Sequence, residues 1–182
     1  MGKVVPGSMS VALTLIAVSC QTNLDASRSR SLMREANILL EQEAGITSAW
    51  TKEYAAAFNP QSRARFPANR QELSQKAESL TSALNQSSSM QSTAAEKYLA
   101  ASALEPDEKM RQFLSLFSQA FRTNLEINDL FRQQIGLVNN EEIKDTKTFE
   151  ERFQGIGAEI AKKIKDRDML QSRGKEMIGL KQ

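Results

Sequence analysis

The chain contains no histidine and only one cysteine among its 182 residues. Without histidine there is no Ser-His or Cys-His nucleophile pair, no His-ligated haem, no Glu-x-x-His di-iron motif and no His-based zinc site. These absences exclude most enzyme classes that leave a readable motif. We therefore expect a protein that is not an enzyme and that binds neither a cofactor nor a metal.

The chain also lacks a strong excess of charge of either sign. It has 24 Lys and Arg against 22 Asp and Glu, a formal net charge of +2. A protein that follows a phosphate backbone needs a pronounced positive excess. We therefore expect no nucleic-acid partner. A length of 182 residues with 40% apolar residues fits one domain.

The first twenty residues have the layout of a secretory signal. Lys3 is followed by an apolar run over residues 11–18, and then by Cys20. The run is too short for a membrane span, which needs about 20 apolar residues, and the polar Gln21 follows it closely. If Cys20 carries no lipid, the segment is either an ordinary secretory signal that happens to end in cysteine or an amino-terminal core helix with a buried thiol.

The segment Ala17-Val18-Ser19-Cys20 resembles the lipobox of bacterial lipoproteins. The family pattern usually has Leu where this chain has Ala17. The resemblance covers this segment alone and identifies no family for the rest of the chain. It implies a signal peptide over residues 1–19 and a Cys20 that carries acyl chains such as palmitate. Residues 20–25 would then be the lipidated cysteine and its tether, and residues 26–182 the helical domain.

The resemblance also implies a location. Two or more acyl chains are enough for lasting attachment to a membrane. In the sorting rule of Gram-negative lipoproteins, Asp after the cysteine favours the inner membrane, whereas this chain has Gln21. We therefore expect a protein of the bacterial cell envelope that is held by its lipid anchor. In a Gram-negative source it would sit on the outer membrane and face the periplasm.

From Asp25 onward the apolar residues follow a three-four spacing, which predicts an all-α domain. Proline or asparagine breaks separate four segments. They lie at about residues 25–59, 70–104, 106–138 and 139–179, with a second start for the last segment at Thr148.

Segments of this length joined by short links predict an antiparallel up-down four-helix bundle about 45 to 50 Å long. The centre of the second segment, residues 85–93, is rich in weak helix formers. If it breaks, the alternative is a three-helix bundle or a long helical hairpin. We also expect a loop over residues 60–67 and a capping box formed by Asn69 and Glu72.

Polar residues interrupt the apolar stripes of the first and fourth segments. Glu43 and Glu53 fall on the first stripe and Arg167 falls on the fourth. If these helices are antiparallel and their ends align, residues at equal height have numbers that sum to about 206, so Glu43 and Arg167 lie within about a turn. They form either a polar site for a ligand headgroup, an ion pair that sets register, or side chains that reach out from the edge of the core.

The third segment places Asn124 and Asn128 on its core side, one turn apart. Buried asparagines set the register of a bundle or orient a bound small molecule. The phenylalanines of this segment either form simple core or line an apolar cavity. They are Phe113, Phe117, Phe121 and Phe131.

Two functions fit these patterns. The first is a non-catalytic, membrane-anchored envelope lipoprotein whose bundle contacts another envelope protein, which the sequence does not identify. The second is a sensor-like bundle in the periplasm that holds a small molecule or an apolar lipidic ligand between its helices. The basic residues Arg63, Arg65 and Arg70 are predicted to form a solvated charged face, with lipid headgroups or an acidic partner as alternatives.

Overall fold

The computed structural model of the protein describes residues 24–179. The predicted signal peptide and Cys20 lie outside this range, so what the sequence indicates about them stays a prediction. Residues 24–179 are helical apart from short connections and contain no strand. Four long helices pack against one another in the antiparallel up-down arrangement that the sequence predicts.

The first long helix is α1 (Leu24–Ala57), and the short helix α2 (Pro60–Ala64) connects it to the second long helix. The other long helices are α3 (Arg70–Leu104), α4 (Glu108–Gly136) and α5 (Thr146–Met177). A 3-10 helix, Leu137–Asn139, follows α4 directly. The long helices have 29 to 35 residues, which corresponds to about 43 to 53 Å at 1.5 Å per residue. Helix α3 packs against both α1 and α4, and α5 packs against α4.

Helix α3 is continuous through its polar centre, residues 85–93. The side chains of Ser87 and Gln91 are buried there and form hydrogen bonds to α1, so they stabilise the helix from within the bundle. The alternatives that required a break in this segment therefore do not apply.

The connection between α1 and α3 differs from the prediction in two ways. Residues 60–67 are not simply a loop, because they include α2, which begins where the Asn59 side chain accepts a hydrogen bond from the Ser62 N–H at 2.9 Å. The capping box predicted for Asn69 and Glu72 is wrong. The Asn69 side chain makes no cap bond and instead donates to the Ser62 carbonyl at 2.9 Å, which holds α2 against the start of α3.

Aspartates cap the last two long helices. Asp107 accepts a hydrogen bond from the Met110 N–H at 2.8 Å, so α4 begins at Glu108. Asp145 accepts one from the Thr148 N–H at 2.8 Å, and this backbone hydrogen bond lowers the pKa of the Asp145 carboxyl. Helix α5 therefore begins at Thr146, between its two predicted starts.

The apolar interior is divided into two cores. We call the end of the bundle where α1 begins the proximal end, and the end at Pro60 the distal end. The distal core is rich in aromatic side chains from α1, α4 and α5, whereas the proximal core combines alanines of α1 and α3 with phenylalanines of α4. The main members of the distal core are Trp50, Phe58, Phe66, Leu73, Leu80, Phe131, Ile135, Phe149, Phe153 and Ile160. Those of the proximal core are Ala36, Leu40, Ala94, Ala95, Tyr98, Ala101, Phe113, Leu114, Phe117 and Phe121.

Helix α5 contributes to the two cores in different ways. Its buried apolar side chains are Phe149, Phe153 and Ile160, all in the distal half. Beyond Ile160, the described part of α5 has only half-buried or exposed apolar side chains. Gly174 is buried there, and a Cβ at this position would lie 3.2 Å from the Phe117 ring. The backbone of α5 at Gly174 therefore lies close to the proximal core.

Candidate functional site

A band of polar side chains crosses the interior between the two cores. We call it the polar layer, and all four long helices contribute to it. Four of its members were predicted to face the core: Glu43 and Arg167 from interrupted apolar stripes, and Asn124 and Asn128 from their place on the core side of the third segment; their burial confirms that placement. The members are Glu43, Ser87, Gln91, Asn124, Asn128 and Arg167.

Glu43 is the buried acid of the polar layer, with only 3% of its surface exposed. Its Oε1 atom accepts hydrogen bonds from Ser87 Oγ at 2.6 Å and from Gln91 Nε2 at 2.9 Å. The hydroxyl of Thr47, one turn along α1, donates to the same oxygen. No cation lies within ion-pair distance of Glu43 in the part of the chain that the structure describes. The acid is thus held by neutral donors from α1 and α3.

Arg167 is the buried base of the polar layer, and its partners lie on α4 and α5. Its Nη1 atom donates to Asn124 Oδ1 at 3.1 Å. Its Nε and Nη2 atoms donate to Asp168 Oδ1 at 2.9 and 2.6 Å. Arg167 and Glu43 form no ion pair with each other, so an ion pair between them does not set the register. Each charge is instead satisfied by its own neighbours.

Asn128 joins α4 to α3 in the same layer. Its Nδ2 atom donates to Ser88 Oγ at 3.1 Å and, at 3.4 Å, to Gln91 Oε1. Gln91 also bonds Glu43, so one chain of hydrogen bonds runs from α1 through α3 to α4. Such chains favour one register, because a shifted register would leave buried donors and acceptors unpaired.

A small cavity lies at the distal edge of the polar layer, beside Trp50. Its volume is about 20 Å³. Polar groups of Thr47, Ser87 and Asn128 line it together with the Trp50 and Phe131 rings. This volume has room for about one water molecule and is far below the several hundred Å³ of a typical ligand pocket.

Glu53 is not part of the polar layer, so its predicted core position is wrong. Its side chain is exposed. Glu43 and Glu53 are ten residues apart, and at about 100° per residue they point about 80° apart around α1. Glu43 therefore lies on the buried side of α1, whereas Glu53 lies on its exposed side.

A second polar connection, which the sequence did not predict, crosses the distal core. The Tyr54 hydroxyl donates to Gln134 Oε1 at 2.5 Å, and Gln134 Nε2 donates to the Phe153 carbonyl at 2.7 Å. Gln134 thereby links α1, α4 and α5. A Cβ at Gly157 would lie 3.2 Å from Gln134 Nε2, so the glycine makes room for the amide. Burial raises the pKa of the Tyr54 hydroxyl, which therefore stays a donor at neutral pH.

Two of the three predicted surface arginines instead hold the distal end together. Arg63 forms a two-pronged ion pair with Glu150 at 2.8 and 3.0 Å and lies over the Phe153 ring. Arg70 lies over the Phe66 ring and donates to the Ile143 carbonyl. Only Arg65 is exposed. The prediction of a solvated charged face is therefore wrong for Arg63 and Arg70.

The side chains along the outward face of the proximal half of α5 border a shallow groove that is open to solvent. Its lining includes the half-buried Ile164 and the exposed Met169, with 55% of the Met169 surface accessible. Charged side chains of both signs border these apolar residues. They are Lys165, Asp168, Arg173 and Glu176.

None of the helices in residues 24–179 is both long and apolar enough to cross a membrane. Comparison with protein-family models, with curated proteins and with solved structures found no match to this chain. The class that the structure defines is the all-α antiparallel four-helix bundle.

Proposed function

We propose that this protein is a non-catalytic lipoprotein of the bacterial envelope, anchored through Cys20, whose helical bundle acts through contacts with another protein. The anchor rests on the resemblance of residues 17–20 to a lipobox. The first helix begins only four residues after Cys20, so the bundle would be held next to the bilayer. In a Gram-negative source this would be the periplasmic face of the outer membrane.

The observation that carries the contact function is the exposed apolar surface of α5. The cavity beside Trp50 is too small for a ligand, at about 20 Å³, whereas the shallow groove on α5 is open to solvent. The groove presents apolar surface at Ile164 and at Met169, which is 55% exposed, within a charged border. A surface of this kind is typical of a protein contact, because apolar residues supply burial and the surrounding charges supply selectivity.

The alternative function, a bundle that holds an apolar or other small ligand between its helices, has less support. The phenylalanines that would line such a ligand site are closely packed: the Phe113 and Phe117 ring centres are 4.4 Å apart. The Phe121 ring stacks on Tyr98 at 5.6 Å. Lipid that stays bound to the purified native protein in mass spectrometry would favour this alternative.

The anchor is tested by replacing Cys20 with serine in the full-length chain expressed in a bacterium. We expect the wild-type protein to gain the mass of its acyl chains and to fractionate with membranes, and the Cys20→Ser variant to do neither. Unchanged mass and fractionation in the variant would contradict the anchor.

The contact surface is tested by placing a photo-crosslinking residue at Met169, in the groove, or at Ile38. Both side chains are about half exposed and apolar, at 55% and 54%, but only Met169 lines the groove. We expect a discrete crosslinked species from position 169 in cells, and its loss when Lys165 and Arg173 are both changed to Glu. Crosslinks of equal yield from positions 38 and 169 would contradict a contact at the groove.

A further inference from the structure

The start of α1 carries three arginines that the fold does not use. Residues 24–34 contain Arg28, Arg30 and Arg34 against a single carboxylate, that of Asp25. Arg28 and Arg34 are exposed, and Arg30 is half-buried and donates only to the Ala26 carbonyl, at 3.2 Å. Across residues 24–179, no carboxylate lies within 4.0 Å of any of the three guanidinium groups.

The nearest acid along the helix is already engaged elsewhere. Glu35 accepts a hydrogen bond from Lys97 of α3 at 2.5 Å, and this bond lowers the pKa of the Glu35 carboxyl. The helix itself gives no reason for cations at this position, since the amino-terminal end of a helix favours negative charge. The three arginines therefore add positive charge without forming an ion pair to the described chain.

The carboxyl-terminal end of α5 adds to the excess of positive charge at the proximal end. The bundle is antiparallel, so α5 ends on the side where α1 begins. Arg173 and Lys175 lie there against Glu176. No carboxylate of the described chain is within ion-pair distance of either cation. At the distal end, by contrast, Arg63 and Arg70 are packed on aromatic rings and bound by Glu150 or a backbone carbonyl. Unpaired arginines near the start of the chain thus contrast with structural arginines far from it.

The spacing puts these cations close to the proposed anchor. Cys20 precedes Leu24 by four residues, which span at most about 14 Å. Arg28 and Arg30 lie about 6 and 9 Å further along the helix axis, and Arg34 lies about 15 Å along it. Arg28 and Arg30 are therefore within about one Debye length of the helix start, and they come within reach of an anionic surface when the tether holds the helix start against it.

We propose that Arg28, Arg30 and Arg34 bind the anionic phospholipid headgroups of the membrane that holds the lipid anchor. Anionic headgroups supply the negative charge that these arginines lack within the bundle. The inference rests on the proposed anchoring at Cys20. It adds that the anchored domain lies with the start of α1 against the bilayer surface, which fixes the orientation of the bundle and leaves its distal end furthest from the membrane.

The test is binding of the full-length protein to phosphatidylcholine vesicles with and without 30% phosphatidylglycerol. The variant Arg28→Gln/Arg30→Gln/Arg34→Gln is compared with Lys52→Gln/Lys76→Gln/Arg152→Gln, which removes three exposed distal cations. Each cation near an anionic surface contributes about fivefold to affinity. We expect the first variant to lose at least about tenfold in affinity for the anionic vesicles, with no change for the neutral ones. The distal variant should bind both as the wild type does.

Equal binding of the arginine variant and the wild type to anionic vesicles would overturn the proposal. An equal loss in the distal variant would overturn it too, because any surface cation would then suffice. Circular dichroism of each variant checks that the helices are intact. The Cys20→Ser variant, run alongside, separates the two proposals. If it keeps wild-type mass and membrane fractionation, the anchor fails, whereas the arginine proposal is still decided by the difference between anionic and neutral vesicles.

Discussion

At the distal end, α5 packs the rings of Phe149 and Phe153 into the core, whereas its described proximal half has no buried apolar side chain and places the backbone of Gly174 close to Phe117. The distal rings stack in a continuous set, with Tyr54, Phe58 and Phe153 within 6.5 Å of one another. The distal end of α5 is therefore held by packed aromatic side chains, whereas its proximal end is held without them. We infer that the distal half of α5 anchors the helix and that the proximal half is bound more weakly.

The polar layer separates the distal core from the proximal core. It satisfies Glu43 and Arg167 with hydrogen bonds, but it buries two charges that an apolar layer would not have to desolvate. Compared with an apolar layer, its main effect is therefore the choice of one register rather than added stability. The shallow groove lies on the proximal half of α5.

The largest expected effect comes from removing a ring that α5 contributes to the distal core. Phe153→Ala deletes contacts with Tyr54, Phe58 and Phe149, and we expect a loss of about 3 to 5 kcal/mol in the free energy of unfolding. Met169→Ala, on the proximal half of α5, should cost less than about 0.5 kcal/mol because the side chain is largely exposed. Urea unfolding measures both. Similar losses would remove the difference between the two halves.

The next largest change in stability is expected for Glu43, which is compared with Glu53, the other acid predicted on the same apolar stripe of α1. Glu43→Ala leaves the buried donors of Ser87 and Gln91 without their acceptor, and we expect a loss of at least about 2 kcal/mol. Glu53→Ala removes an exposed side chain and should change stability by less than about 0.5 kcal/mol. Chemical denaturation distinguishes them. A costly Glu53 variant would show that the polar layer extends further along α1 than the structure places it.

Two glycines of α5, one in each half of the helix, test the same difference between its distal and proximal halves. Gly174→Leu places a side chain against Phe117, and we expect a loss of about 1 to 2 kcal/mol, because the weakly held proximal end can move away and relieve part of the overlap. Gly155→Ala meets no atom within 4 Å and should stabilise the protein by about 0.5 to 1 kcal/mol through helix propensity. Thermal unfolding measures whether each variant is less or more stable than the wild type. A stabilising Gly174→Leu would mean that the proximal core does not contact α5 closely.

The smallest effect concerns the ion pair at the distal end. Its hydrogen bond from Arg63 lowers the pKa of the Glu150 carboxyl, so its contribution is present above the usual glutamate pKa and is lost as the pH falls through the lowered value. We expect Glu150→Gln to cost about 0.5 to 1 kcal/mol at pH 7 and less at pH 3. Urea midpoints at the two pH values measure this.

The matched control for that prediction is Glu151→Gln, since Glu151 is exposed and its nearest cation, Lys147, lies 3.9 Å away. It should have little effect at either pH. If the Glu150 variant cost the same at pH 3 as at pH 7, the ion pair would not be the source of its effect.

Periodicity and punctuation were enough to predict the helices. The bounds of α3 and the end of α1 before Pro60 follow from proline and asparagine breaks. The starts of α4 and α5 were displaced by a few residues, because Asp107 and Asp145 provide caps that compete with the predicted ones. Helix α2 was missed because five residues show no periodicity, and contacts of Arg63 and Asn69 hold it in place.

Four of the six residues of the polar layer were predicted. Single polar residues within an apolar stripe, such as Glu43 and Arg167, were visible, whereas Ser87 and Gln91 were hidden in a generally polar stretch. Their signal was spacing, since both continue the four-three pattern of Leu80, Leu84, Ala94 and Tyr98. Their hydrogen-bond partners were not predictable, because these depend on the relative rotation of neighbouring helices.

Native-state hydrogen exchange measures whether α5 is held firmly at its distal half and weakly at its proximal half. Residues 150–160 begin four residues after the start of α5, and residues 163–173 end four residues before its end, so fraying affects the two segments alike. We predict that amides of residues 163–173 exchange through local opening at least tenfold faster than those of residues 150–160. Equal protection of the two segments would show that both halves of α5 are held equally firmly.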